Sequence, residues 1–139
     1  MMAEMISRPF TAASFNQFIA ERKLAAAKCS RCSRLYLPPR AICPNCHGDQ
    51  LEWVELSGKG RLAAFTAISI GPSFMNELGY GRNNPYVTGI VALEEGVKIS
   101  ARILGVDATH PETIQIGVPL VIEFVQEGEA KQTVLAFRA

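Results

Sequence analysis

No stretch of this sequence approaches the roughly 18 consecutive apolar residues that a bilayer span requires. Residues 1–9 carry Glu4 and then Pro9 in place of a continuous apolar run, so no secretory signal is expected and the chain reads as cytoplasmic. Charge imbalance is almost absent: 14 Lys+Arg against 13 Asp+Glu leave a formal +1, which argues against a generic polyanion binder and a basic membrane-surface protein. Charged residues make up 19% of 139 and hydrophobic residues 48%, which excludes a disordered chain. There is no internal repeat. Histidine is scarce: His47 and His110 are the only two, and both sit in turn-like settings. A Gly-x-Ser-x-Gly elbow and a Walker-type loop are both missing. Gly79-x-Gly81 meets Asn84 where a dinucleotide fingerprint wants glycine, and Glu94-Glu95 fits a solvated hairpin tip better than paired catalytic carboxylates.

What the chain does have is four cysteines in one 18-residue window: Cys29-Ser30-Arg31-Cys32, ten residues, then Cys43-Pro44-Asn45-Cys46. Two Cys-x-x-Cys knuckles at that separation point to a zinc ribbon, because each tight turn presents two thiolates and an intervening hairpin brings the turns together. Two disulfides are the bland alternative, disfavoured in a reducing compartment. A redox Cys-x-x-Cys would occur once, inside a βαβ unit that is missing. Four thiolates leave no open position on the ion, so one structural zinc held by Cys29, Cys32, Cys43 and Cys46 is expected. Cysteine-based acyl transfer needs a free thiolate, and all four sulfurs are claimed. The chain alone is therefore read as non-catalytic. Four thiolates and one Zn²⁺ would move the formal charge from +1 to about −1.

The remaining pattern is mainly β. Ser14 with Gln17 resembles a capping box ahead of Phe15, Phe18 and Ile19, predicting a short helix near 12–22. Residues 24–28 read as the first ribbon strand, although their alanines could equally extend the helix. A short strand at 34–37 ends at Pro38-Pro39, and 52–56 alternates as another strand. From residue 61 five strands are expected: 61–70, with Leu62, Ala64, Thr66, Ile68 and Ile70 on one face, then 87–93, 97–104, 118–125 and 132–138. A polar connector or single helical turn occupies 107–113. This count fits a five-stranded Greek-key barrel of OB type, with a small sandwich as the alternative. The expected division is an N-terminal helical segment 1–22, a zinc ribbon 23–55 and a barrel 56–139.

Two features could meet a partner. Residues 1–61 hold nine bases and five acids, and 62–139 hold five and eight. Arg22, Lys23, Arg31, Arg34 and Arg40 are candidates for phosphate or partner contact, and solubility is the plainer reading. The 16-residue connection 71–86 is unusually long and apolar through Phe74, Met75, Leu78, Tyr80 and Tyr86, with Arg82 among them. It either folds back on its own barrel or contacts a partner.

The ordered series Cys29-x-x-Cys32, Pro38-Pro39-Arg40, Cys43-Pro44-x-Cys46, the run Trp53 to Gly60, Phe65-Thr66, Pro85-Tyr86, the run Ile90 to Gly96, the run Ile116 to Leu120, and Phe137-Arg138 resembles the acyl-CoA-associated zinc-ribbon/OB-fold family. The resemblance spans nearly the whole chain, with Ser33 where that family often has glycine and Ala25–Ala27 where it has bulkier residues. It implies a helical segment, a rubredoxin-like ribbon and an OB barrel. It further implies a non-catalytic accessory subunit of a thiolase-like enzyme that makes or breaks C–C bonds in acyl-CoA, in a hetero-oligomer with a thiolase-fold catalytic subunit. Coenzyme A thioester would be met only through that complex; the thiolase of anaerobic toluene degradation is one compatible case. A single-stranded nucleic-acid module is the runner-up, weakened because the barrel half is acidic. A small-molecule or acyl-chain carrier is a third reading.

Overall fold

The computed structural model describes residues 8–128 and 130–139. The reading of residues 1–9 as free of a secretory signal falls mostly outside them, and Glu129, between the last two predicted strands, is outside as well. Two compact units emerge. The first holds the described residues up to Ser57 together with Glu95–Val97, and the second comprises Gly58–Glu94 and Lys98–Ala139.

In the first unit, helix α1 (Ala12–Ala20) precedes a three-stranded antiparallel sheet of order β2-β1-β3, with β1 at Ala25–Cys29, β2 at Leu35–Tyr36 and β3 at Leu51–Glu55. The helix keeps the start expected near residue 12, but Thr11 caps it in place of Ser14. Thr11 is the N-cap, its hydroxyl accepting the Ser14 amide at 3.2 Å, and Ser14 itself is buried. A threonine in extended conformation meets the first free amides just as well. At the other end the Lys23 amide returns to the Phe18 carbonyl and the Arg22 amide to Ile19, a Schellman closure with Arg22 left-handed at φ 63. That closure stops the helix and frees Ala25–Ala27 to form a strand.

Those alanines matter for packing. Ala25, Ala26 and Ala27 are wholly buried, and their small side chains leave room for Phe18 and Trp53, which meet edge to face at 4.8 Å. Phe10 stacks on the other side of Trp53 at 4.9 Å, and the indole N–H donates to the Arg8 carbonyl.

The second unit is a closed barrel of order β4-β5-β6-β8-β7, in which β4 (Lys59–Ile68) pairs with both β5 (Tyr86–Leu93) and β7 (Pro119–Glu127). Strand β6 (Lys98–Leu104) runs parallel to β8 (Gln132–Arg138), the crossover that distinguishes an OB barrel from a sandwich. The connector 107–113 contains one 3₁₀ turn, Pro111–Thr113. Leu62, Val87, Val91, Ile103, Leu120 and Phe137 fill the interior.

One expectation fails here. Strand β4 does not keep one face from Leu62 to Ile70, because the register slips between Leu62 and Ala64. Past that bulge Ala64 and Thr66 are exposed, and Ile70 is 72% exposed. A single extra residue inverts every later side chain. Opposite the bulge Gly89 is obligatory, since a Cβ there would sit 2.6 Å from the Ala64 carbonyl oxygen. Among the described residues no helix is long and apolar enough to cross a membrane.

Candidate metal centre and groove

Strand β1 ends at Cys29, so the first knuckle follows directly on a strand whose register is pinned on both sides. The two knuckles are built alike. Ser33 N–H bonds the Cys29 carbonyl at 2.8 Å and His47 N–H bonds that of Cys43 at 2.7 Å. The residue after each second cysteine is left-handed: Ser33 at φ 61 and His47 at φ 62. The backbone therefore does at both sites what the resemblance expects of glycine at one. The Sγ atoms of Cys29, Cys32, Cys43 and Cys46 all lie within 4.8 Å of one another, with Cys29 and Cys43 fully buried.

A tetrahedral zinc with Zn–S of about 2.3 Å needs sulfur–sulfur edges of about 3.8 Å. The Cys29–Cys46 separation is 3.7 Å, and the donor set is all sulfur. The four residues fit the ion. They would form a closed tetrahedral cross-link between the two halves of the ribbon, with no position left for a substrate.

Protein groups surround the sulfurs. The Tyr36 hydroxyl lies 3.1 Å from Cys43 Sγ, the Asn45 side-chain amide donates to Cys32 Sγ at 3.2 Å, and the Cys32 amide donates to Cys29 Sγ at 3.4 Å. The Tyr36 hydrogen bond, with amides of Cys46 and Asn45, draws the Cys43 thiol down to about 6, and the same bond pushes the phenol up to about 12. Toward a Cys43 thiolate the phenol can only donate. The Gly48 amide lowers Cys46, but the hydrogen bond to Cys32, burial, and the bonds to Cys29 and Cys43 outweigh it and lift the thiol to about 11. Metal binding would have to displace that proton. Tyr36 and Asn45 were invisible as site residues in the sequence. Tyr36 reads there only as a strand residue, and the register Ala27↔Tyr36 brings it to the cage.

The five basic candidates do not converge. Arg31 sits within the first knuckle against Gly48 and close to Cys46, and exposed Arg34 follows it. Arg22 and Lys23 lie beyond the opposite end of β1, whose five residues span about 13 Å. Arg40 is exposed in the loop before Cys43.

The 71–86 connection forms a short helix, α2 (Ser73–Glu77), and divides its apolar residues between two environments. Met75 is 4% exposed, and the Tyr80 and Tyr86 rings meet edge to face at 5.2 Å. Arg102 on β6 anchors them. Its guanidinium lies 5.5 Å from the Tyr80 ring centroid, donates to Met75 Sδ, and pairs through both terminal nitrogens with Glu127. Phe74 stays 60% exposed, and Arg82 is exposed at a tight turn. Phe74 and Leu78 face Val134, with Glu77, Arg102, Glu127 and Gln132 completing a groove of about 680 Å³.

Residues 17–52 match the family described as the ChsH2 rubredoxin-like zinc ribbon domain, and 53–125 match the ChsH2 C-terminal OB-fold domain. The chain belongs to the ChsH2/DUF35 zinc-ribbon and OB-fold family. A DUF35 domain-containing scaffold protein of Methanothermobacter thermautotrophicus is 33% identical over 117 residues, covering 82% of this chain and 81% of that one. The benzoylsuccinyl-CoA thiolase subunit BbsA of Thauera aromatica is 33% identical over 59% of this chain and 52% of its own length. The solved structure of an Ltp2–ChsH2(DUF35) aldolase superposes with a TM-score of 0.76 at 27% identity, covering 94% of this chain and 98% of that one. The family resemblance and the mainly β, ribbon-plus-barrel fold read from the sequence are both borne out.

Proposed function

We propose that this chain is a zinc-containing accessory subunit that docks on the catalytic subunit of an acyl-CoA enzyme of thiolase or aldolase type. The observation that carries the reading is the cage: every cysteine is committed to one closed site in a chain whose relatives include a thiolase subunit and the ChsH2 component of an aldolase. The chemistry then belongs to the partner, which supplies nucleophile and base, and coenzyme A thioester reaches this chain only within the complex. Zinc held by Cys29, Cys32, Cys43 and Cys46 cross-links the scaffold, and thiolates kept reduced fit a cytoplasmic setting. The division 1–22, 23–55 and 56–139 corresponds in this reading to helical segment, ribbon and docking barrel.

Docking is assigned to the groove between α2 and β8. Phe74 and Leu78 offer an apolar wall, while Met75, Tyr80 and Tyr86 hold that wall in place. Arg102 is neutralised by Glu127, so Glu77 leaves the lining acidic. The complementary occupant is a partner segment with an apolar side chain beside a lysine or arginine. The test is recovery of the tagged chain from its native host, with mass-spectrometric identification of what accompanies it. A stoichiometric acyl-CoA enzyme is expected, reduced at least tenfold by Phe74→Asp and unaffected by Ile116→Asp, a second residue 60% exposed. Recovery of a lone chain would overturn the proposal.

A further inference from the structure

The ribbon is two knuckles that must be held together, and its four sulfurs would place four negative charges around a doubly charged ion. The net −2 has to be met by donors from the protein. Two of those donors are side chains, and each reaches across to the other half. Tyr36, which follows the first knuckle on β2, lies 3.1 Å from Cys43 of the second. Asn45, inside the second knuckle, donates at 3.2 Å to Cys32 of the first. Each half therefore carries a hydrogen-bond donor for a thiolate of the other. The backbone amides act otherwise: Cys32 N–H serves Cys29 within the same knuckle, and so does Gly48 N–H for Cys46.

We propose that Tyr36 and Asn45 form a reciprocal brace between the knuckles, positioning Cys43 and Cys32 for the ion and quenching the nucleophilicity of the two thiolates. Tyr36 is placed by the β1 register, and Asn45 sits inside the tight Cys43–Cys46 turn. A thiolate that accepts a charge-assisted hydrogen bond has less electron density to offer an electrophile, and the bond holds it in place as a ligand. Tyr36 and Asn45 are both positioning residues; neither ligates.

The inference rests on zinc occupying the cage, so the experiment begins by measuring zinc in the purified full-length chain. A value near one per chain supports that reading, and its absence would sink the metal assignment itself. On zinc-loaded protein, Tyr36→Phe and Asn45→Ala are compared with the parent in two ways. Zinc release to a chromogenic chelator should quicken about tenfold in each variant, in the range typical of lost outer-shell partners. In the ¹¹³Cd-substituted protein the cadmium resonance should shift in each while staying in the range of four-thiolate coordination. Tyr36→Phe keeps the ring, and Asn45 is exposed, so both variants are expected to fold. An unchanged release rate and cadmium shift in either variant, with zinc still bound, would overturn the brace.

Discussion

Arg102 shows how much one side chain can organise. The sequence places it on the outward face of an alternating strand, as a solvent-facing residue. In the fold its side chain is 12% exposed and that of its partner Glu127 is 15% exposed. The reason is topological: only the order β6-β8-β7 brings these two residues, 25 positions apart, to one surface beneath the 71–86 connection. Removing one member of a largely buried pair strands the other charge, so Arg102→Met should cost about 3–5 kcal/mol in chemical denaturation. Arg102→Met with Glu127→Leu should recover most of that loss. Strictly additive losses would show that the pair is not coupled. Tyr36 teaches the same lesson at the cage. Local pattern makes it an ordinary strand residue, while cross-strand register makes it a thiolate partner. The cysteine cluster itself was legible because the spacing of the four residues brings their sulfurs together.

Elements were read without ambiguity where one local rule governed them and less surely where two competed. The alanines 25–27 have helical propensity, yet they form β1, because the Schellman closure at Arg22 ends the helix and Trp53 and Phe18 need small neighbours. Strand β4 was found but its face was inverted past Leu62, since a bulge leaves no mark in an alternating sequence until the partner strand is known. The ribbon, by contrast, rests on chemistry visible in four residues. Its sheet has three short strands, one of only two residues, so beyond the Phe18, Ala25 and Trp53 cluster the two knuckles have little but a metal to hold them. Stripping zinc with a chelator should abolish the amide dispersion of residues 23–55 in NMR spectra, and zinc should restore it. A ribbon that kept its native shifts after chelation would show that the sheet, and not the ion, defines the fold.

At the level of the whole molecule, the ribbon gathers all four cysteines into one cluster and the barrel carries an acidic, partly apolar groove. Family membership was legible because the motifs run in order along nearly the entire chain. The groove was legible only in part: Phe74 and Leu78 stood out as apolar loop residues, whereas Val134 and Glu127 come from strands that the fold folds in beside them. The central claim is that chemistry happens on another polypeptide. Its most direct test is thioester turnover by the homogeneous, zinc-loaded chain, measured beside the complex recovered from the native host. Acyl-CoA should be consumed by the complex and left untouched by the isolated chain; turnover by the isolated chain would contradict the account.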